Sequence, residues 1–187
     1  MDNLEPLRLQ CLQCQACRLA KTRKNVVFGV GPVPSALVFI GEGPGEHEDL
    51  QGEPFVGAAG KLLDEMLSII DLSRQTCYIT NIVKCRPPHN RDPMEDEQEA
   101  CADVLSAQLA SLRPKVIVCL GRVAAKRLID PEFRITREHG KWSERGGISY
   151  MATYHPSALL RDVNKRPEAF SDLLSLREKI KQLGIVL

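Results

Sequence analysis

Short runs of apolar residues alternate along this chain with segments whose apolar residues recur at helical spacing. Four of these runs predict buried strands, at residues 36–40, 77–80, 115–120 and 149–153. Helices are predicted around them, at about 57–71, 96–112, from Gly121 onward and at about 167–183. Strands that alternate with helices are typical of a parallel sheet covered on both faces. We therefore predict an α/β fold with three layers, α/β/α, and a central, mainly parallel four-stranded sheet.

Length and composition narrow the class of protein. The 187 residues, 26% of them charged, predict one globular domain that spans residues 1–187. A net charge of +1 leaves any nucleic-acid-binding face to local clusters of basic residues. No apolar run approaches the roughly 20 residues that span a bilayer, and the first residues lack the pattern of a secretory signal. We expect a cytoplasmic protein with no membrane partner.

Seven cysteines, an odd number, favour metal ligation or buried thiols over a disulfide framework. Cys77 and Cys119 fall in predicted strands, where a thiol behaves as a small apolar side chain. The other five form a spaced set, Cys11-x2-Cys14-x2-Cys17 with Cys85 and Cys101 far downstream. This set can make one site only if the N-terminal segment folds back onto the middle of the chain. It suits either zinc or an iron–sulfur cluster, and the alternative is a scatter of free thiols.

Polar loops follow three of the predicted strands. The loop 41–45, Gly-Glu-Gly-Pro-Gly, is not a dinucleotide site, because Glu46 stands where the third glycine is needed and nearby carboxylates would repel a pyrophosphate. It is either a solvated acidic turn or a backbone that approaches a ligand closely. The carboxyl ends of parallel strands share one edge of a sheet, so this loop, Asn81 and His155 are expected to line one cleft. Each of these residues also has a structural interpretation when it is taken alone. Asn81 could cap a turn, His155 could be a hydrogen-bonded structural histidine, and Phe55 could be a core residue.

An ordered set of motifs covers most of the chain: Cys14-x2-Cys17-Arg-Leu-x2-Thr22-Arg23, Gly-Glu-Gly-Pro-Gly-Glu-His-Glu-Asp at 41–49, Gly52-x-Pro54-Phe-Val-Gly57, Thr80-Asn81, Lys84-Cys-Arg-Pro-Pro88, Asn90-Arg91 and His155-Pro-Ser157. This set resembles the family 4 uracil-DNA glycosylases, which carry a 4Fe–4S cluster. The resemblance implies a monofunctional enzyme of base excision repair that hydrolyses the N-glycosidic bond of flipped-out deoxyuridine. It also implies a prokaryotic protein that acts on uracil-containing DNA, single- or double-stranded. A glycosylase of this size needs no partner chain, so we expect a monomer.

The same resemblance implies which residues bind the cluster and the base. The cluster ligands would be Cys14, Cys17, Cys85 and Cys101. Cys11 is then extra, and a register in which it replaces Cys14 stays open. Phe55 would stack on uracil, and the Asn81 amide would match O4 and N3–H of the base. Glu48 would occupy the space beside C5 and exclude the methyl group of thymine.

For the reaction, the resemblance implies that His155 donates a hydrogen bond to uracil O2, aided by the backbone N–H of Gly43. Glu42 would polarise the attacking water or stabilise the sugar cation. Its alternative is a structural carboxylate that bonds the loop backbone. No lysine is evident as a Schiff-base nucleophile, so no strand scission is expected.

The expected DNA contacts lie around this site. Arg86, Arg91 and Arg161 would meet phosphates, and Ser157 would bond a phosphate that flanks the flipped nucleotide. Leu159 or Leu160 would wedge into the vacated stack, unless they are ordinary core residues. The rival to the enzyme is a non-catalytic, metal-stapled protein that binds nucleic acid through the same cleft.

Overall fold

The computed structural model describes residues 4–186. The strands are β1 (Leu37–Gly41), β2 (Tyr78–Asn81), β3 (Val116–Leu120), β4 (Trp142–Arg145) and β5 (Ile148–Thr153). The α-helices are α1 (Glu5–Leu12), α2 (Glu46–Gln51), α3 (Ala58–Ile69), α4 (Glu95–Leu112), α5 (Arg122–Leu128), α6 (Ile135–Glu138), α7 (Pro156–Arg161) and α8 (Arg166–Gln182). No helix within 4–186 is long and apolar enough to cross a membrane.

The strands form one sheet in the order β2-β1-β3-β5-β4. The first four strands in this order are parallel, and only β4 runs antiparallel, against β5. The register pairs Gly41 with Asn81 and Leu120 with Thr153. These four residues are the last of their strands, so the loops that follow all leave from one edge of the sheet.

Alternate residues of each parallel strand point to opposite faces of the sheet, and each face has its own core. On one face Val38 and Ile40 pack in a core that includes Leu105 and Leu112 of α4. On the other face Leu37 and Phe39 pack in a core that includes residues of α3, α7 and α8. Because helices cover both faces of the sheet, the predicted three-layer α/β/α architecture is confirmed.

The prediction of four strands was wrong by one. The fifth strand, β4, is a short edge strand whose residues Ser143, Glu144 and Arg145 are exposed, so it lacks an apolar run. A signal for it was present in the sequence. Gly146 and Gly147 both have positive φ, +60° and +77°, which is the requirement of a two-residue hairpin turn.

The N-terminal segment folds back onto the middle of the chain, as one metal site requires. Helix α1 packs against α4, and Cys11 is buried in the core on that side. The segment then runs beside β2, where the Val30 and Ile79 amides each donate to the other residue's carbonyl. The Val27 amide donates to the Lys84 carbonyl at 2.8 Å. Residues 11–17 are thereby held near Cys85 and Cys101.

Gly60 on α3 permits a close approach between this helix and the loop that carries Phe55. A Cβ at position 60 would lie 1.7 Å from the carbonyl oxygen of Phe55. Gly60→Ala is therefore expected to destabilise the protein by about 1–3 kcal/mol, despite the roughly 1 kcal/mol that alanine gains over glycine in a helix. Denaturant unfolding measures this change. The control, Ser68→Ala at an exposed site on α3, should stay within about 0.5 kcal/mol of the parent, and a Gly60→Ala protein as stable as the parent contradicts the account.

Candidate active site

A cavity of about 640 Å³ opens at the edge of the sheet where the parallel strands end. Strand β1 leads into the loop 42–45, β2 ends at Asn81, β3 is followed by Gly121 and β5 by His155. All four loops line the cavity, which places the candidate residues at the sheet edge that commonly binds ligands in such folds.

The structure brings nine of the predicted site residues together in the lining of this cavity. They are Glu42, Gly43, Glu48, Phe55, Asn81, Arg91, His155, Ser157 and Arg161. Arg86 and Leu159 are not part of the lining.

Asn81 presents an acceptor without a partner. Its side chain is only 1% exposed, and among the described residues its Oδ1 has no hydrogen-bond partner. A buried oxygen left unpaired costs free energy, which a ligand N–H at this position would recover. Gly41 makes room for the amide, because a Cβ there would lie 2.4 Å from Asn81 Oδ1 and 2.6 Å from Phe55 Cζ.

Phe55 is held in an unusual backbone conformation beside this acceptor. Its φ of +54° lies in the left-handed region, which is uncommon for a residue with a Cβ. Arg74 fixes the turn by donating to the carbonyl oxygens of Pro54 and Phe55. The Phe55 ring stacks against the His155 ring with centroids 5.5 Å apart. The ring is therefore a fixed apolar surface within the cavity wall.

His155 is fixed as one tautomer by its own turn. The backbone N–H of Ser157 donates to His155 Nδ1 at 3.1 Å, and Ser157 Oγ lies 2.8 Å from the same atom. A backbone N–H can only donate, so Nδ1 is an acceptor and the proton of the neutral ring is on Nε2. Burial, together with the charge of Arg161, lowers the pKa of His155 to about 4, against the opposing charge of Glu48. At neutral pH the ring is thus an uncharged N–H donor.

The end of β5, which delivers His155, is anchored by helix α8. Thr153 Oγ1 donates to a carboxylate oxygen of Asp172 at 2.7 Å. The His139 Nδ1 lies 2.9 Å from the same oxygen, so Asp172 joins the strand end to the segment before β4. This network holds the strand end from which the His155 turn begins.

Glu42 is a carboxyl group with an altered acidity. Burial, together with the neighbouring Asp92, which shares a hydrogen bond with it, raises the pKa of Glu42 to about 7, against the opposing positive charges of Arg122 and Arg161. Asp92 is itself ion-paired with Arg122. A carboxyl group with a pKa near 7 is suited to accept a proton at physiological pH.

Glu48 holds two loops together through its carboxylate. Its Oε1 accepts hydrogen bonds from the backbone amides of Val56 and Gly57, at 2.9 and 3.0 Å, and its Oε2 accepts from Gly45. The side chain therefore has a fixed position in the cavity wall, next to the turn that carries Phe55.

Three residues predicted to contact DNA, Leu159, Arg91 and Arg86, make contacts within the protein. Leu159 is 1% exposed in the core, so the prediction that it contacts DNA is wrong, because a side chain packed there cannot enter a base stack. Its neighbour Leu160 is 42% exposed. Arg91 forms two hydrogen bonds, at 2.7 and 2.8 Å, with the buried carboxylate of Glu97, and Arg86 donates to Asn90 Oδ1. Both arginines therefore also hold the loop 86–93 in shape.

Sequence reasoning missed several polar residues of the cavity wall, among them Asp92, Arg122, Tyr154 and Lys165. Arg122 and Tyr154 follow the ends of β3 and β5, so the rule that located Asn81 and His155 also indicates them. Asp92 lies in an irregular loop and Lys165 ends a short 3-10 helix, and neither position has a comparable sequence signal. The Lys165 ammonium is 3.6 Å from a carboxylate oxygen of Asp162 and lies over the Tyr154 ring.

Five thiols gather where α1, α4 and the loop after β2 meet. They are Cys11, Cys14, Cys17, Cys85 and Cys101, and each is close enough to at least two of the others to influence their charge. Arg23 also reaches this group, with Nη1 3.2 Å from Cys85 Sγ and Nη2 2.7 Å from the Cys14 carbonyl. No three His, Cys, Asp or Glu side chains within 4–186 are arranged to hold a single metal ion. A cluster binds each thiolate to a different iron and does not need so close a group, so this donor set fits an iron–sulfur cluster.

The sequence of the chain matches those of one superfamily of known proteins. Residues 28–176 match the model of the uracil DNA glycosylase superfamily. The chain is 48% identical to a type-4 uracil-DNA glycosylase of Archaeoglobus fulgidus, over 95% of this chain and 94% of that protein. It is 43% identical to a type-4 enzyme of Thermotoga maritima, over 92% of each. A type-5 uracil-DNA glycosylase of Pyrobaculum aerophilum is 30% identical, over 69% of this chain and 64% of the relative.

The tautomer and charge of His155 can be measured without any substrate. Nitrogen-15 NMR of the imidazole should show the proton on Nε2 and a ring that stays neutral from pH 8 down to about pH 5, because burial disfavours the charged form. A His155→Gln sample assigns the resonance. Titration near pH 6.5, or a proton on Nδ1, would contradict this description.

Proposed function

This chain belongs to the type-4 uracil-DNA glycosylases, and we propose that it hydrolyses the N-glycosidic bond of deoxyuridine flipped out of DNA, releasing uracil and leaving an abasic site. One observation carries the proposal. The unpaired acceptor of Asn81, the ring of Phe55 and the neutral donor of His155 line a single cavity. These are the three contacts that an extruded uracil requires.

Asn81 reads the edge of the base. Its Oδ1 accepts from uracil N3–H and its amide nitrogen donates to O4, which satisfies an oxygen that is otherwise buried and unpaired. Cytosine has an acceptor and a donor in the opposite places and leaves both groups of Asn81 mismatched. Phe55 supplies the stacking surface, and the fixed carboxylate of Glu48 lies beside C5, where thymine carries its methyl group.

His155 stabilises the leaving group. When the glycosidic bond breaks, negative charge develops on uracil O2, and Nε2–H of His155 donates to it, aided by the backbone N–H of Gly43. The ring is neutral before the reaction, with its proton already on Nε2, so it donates this hydrogen bond without any change in its protonation state. A preorganised donor of this kind is worth about 3 kcal/mol of transition-state stabilisation.

Glu42 acts on the sugar side. The ionised carboxylate polarises the water that attacks C1′ or stabilises the positive charge on the sugar, and both roles need the deprotonated form. Its pKa near 7 leaves a substantial fraction ionised at neutral pH. Asp92 and Arg122 surround this carboxyl group, so the charge balance of the sugar side depends on all three residues.

The rim of the cavity binds the DNA backbone. Ser157 and Arg161 contact the phosphates that flank the flipped nucleotide, and Arg86 and Arg91 contact phosphates from the loop 86–93. Leu160, rather than Leu159, fills the vacated space in the stack, because it is the exposed member of the pair. Lys165 is ion-paired with Asp162 at 3.6 Å and is given no part in the reaction. Because the mechanism uses no lysine nucleophile, the enzyme is monofunctional and does not cut the strand.

A 4Fe–4S cluster bound by Cys14, Cys17, Cys85 and Cys101 is the cofactor that the family and the thiol group support. When bound, it braces the N-terminal segment against the loop 86–93 and takes no part in the hydrolysis. Cys11, in α1, is the least exposed of the five thiols and serves as a packing residue.

The protein acts as a monomer on single- or double-stranded DNA in the cytoplasm, and its prokaryotic relatives support this setting.

Incubation with a uracil-containing oligonucleotide, followed by alkali and a gel, tests the proposal. The wild-type protein should release uracil and give alkali-labile strands, whereas intact strands would leave only a nucleic-acid-binding role. Asn81→Asp keeps the shape of the side chain but replaces its N–H donor with an acceptor. We expect it to lower kcat/KM on uracil by about 100-fold or more. Gln182→Glu, the same chemical change at the exposed end of α8, is the control, and a fully active Asn81→Asp removes the base-reading role.

The pH profile tests Glu42. Because the active form is ionised and the pKa lies near 7, kcat/KM should fall as the pH drops below 7 and level off above it. His155 stays neutral between pH 5 and 8, so it adds no further pH dependence to kcat/KM in this range. Glu42→Gln should lower kcat/KM above pH 7 by about 100-fold or more and abolish its fall below pH 7. The exposed Glu132→Gln is the control. If kcat/KM of Glu42→Gln still falls below pH 7 as in the wild type, the assignment is contradicted.

A further inference from the structure

Lys84 is a fully buried lysine placed between the thiol group and the base-reading residue. It is 1% exposed, and it precedes Cys85 in the loop that leaves β2. Its ammonium donates to Thr80 Oγ1 and to the carbonyl oxygen of Asn81, both at 2.7 Å. The mechanism proposed above gives this residue no role.

The charge of Lys84 has no carboxylate partner among the described residues. The titratable groups that face its ammonium are the thiols of Cys101, Cys11 and Cys85. A buried ammonium needs an opposite charge nearby, because removing it from water costs several kcal/mol. Four thiolates around a cluster supply such a charge, since a 4Fe–4S centre with four cysteine ligands is an anion.

Lys84 also contacts both the thiol group and the base-reading residue, the first through its backbone and the second through its side chain. Its backbone amide lies close enough to Cys101 to favour the charged form of that thiol, and its carbonyl accepts a hydrogen bond from the Val27 amide. Its side chain holds the carbonyl of Asn81 at the last position of β2. Any shift of this residue would therefore be felt at the thiol group and at Asn81.

We propose that Lys84 is the buried counter-charge of the thiolate-bound cluster and the residue that positions Asn81 for reading the base. This inference rests on the proposed function and its cofactor. The ammonium stabilises the added electron of a reduced cluster and so raises its reduction potential. Its hydrogen bond to the Asn81 carbonyl fixes the strand end from which the reading amide projects.

Two substitutions separate the charge from the hydrogen bond. Lys84→Met removes both, whereas Lys84→Gln removes the charge and keeps an N–H donor for the Asn81 carbonyl. Anaerobically purified proteins are analysed for iron and sulfide per chain, for the reduction potential of the cluster by voltammetry, and for kcat/KM on a uracil oligonucleotide. Lys181→Met, at an exposed lysine on α8, is the control.

We expect both Lys84 variants to show a more negative potential than the control, or to lose iron while keeping their fold by circular dichroism. Lys84→Met should lose about tenfold or more in kcat/KM, and Lys84→Gln should stay within about threefold of the wild type. An unchanged potential and iron content in both variants overturns the counter-charge. A fully active Lys84→Met, or a Lys84→Gln as impaired as Asn81→Asp, overturns the positioning role. If Lys84→Met does not fold, Lys84→Gln alone can still overturn either point.

Failure of the proposed function or of its cofactor gives a different experimental result from failure of the inference about Lys84. A wild-type protein that releases uracil but holds no iron–sulfur cluster overturns the inference and leaves the glycosylase in place. A wild-type protein that holds the cluster but releases no uracil removes the proposed function, while the potentials of the Lys84 variants still test the counter-charge.

Discussion

The parallel register of four strands fixes the position of the whole site. Because β2, β1, β3 and β5 run in one direction and end at matched residues, Gly41 beside Asn81 and Leu120 beside Thr153, their loops leave together from one edge. Hydrogen bonds of the sheet thus bring Asn81 and His155 to the cavity that the Phe55 ring also lines. A slip of one residue in β2 would turn Asn81 to the opposite face.

Around this frame, burial sets the chemistry of the polar groups. The low exposure that leaves Asn81 Oδ1 without a partner also keeps His155 uncharged and makes Glu42 a weaker acid than in water. In the proposed mechanism, a neutral donor on the leaving-group side and an ionisable carboxyl group on the sugar side divide the charge that develops as the bond breaks. The proposed cluster would act at a distance, by holding the segment after β2 in place.

Much of this fold could be predicted from sequence, because the four parallel strands are continuous apolar runs and their ends obey one topological rule. The exposed strand β4 could not be found by hydrophobicity, although Gly146-Gly147 indicates its turn. Motif resemblance located the site, yet it did not show that Leu159 faces the core, that Glu48 bonds three backbone amides, or that Asp92 adjoins Glu42. Those facts depend on side-chain packing between segments distant in sequence, which no local pattern records.

The most direct test of the account is a crystal structure of the protein with uracil bound. The account predicts the ring stacked on Phe55, with N3–H within hydrogen-bond distance of Asn81 Oδ1 and O2 within hydrogen-bond distance of His155 Nε2. Uracil bound at another surface, or bound in this cavity with Asn81 Oδ1 still unpaired, would contradict it.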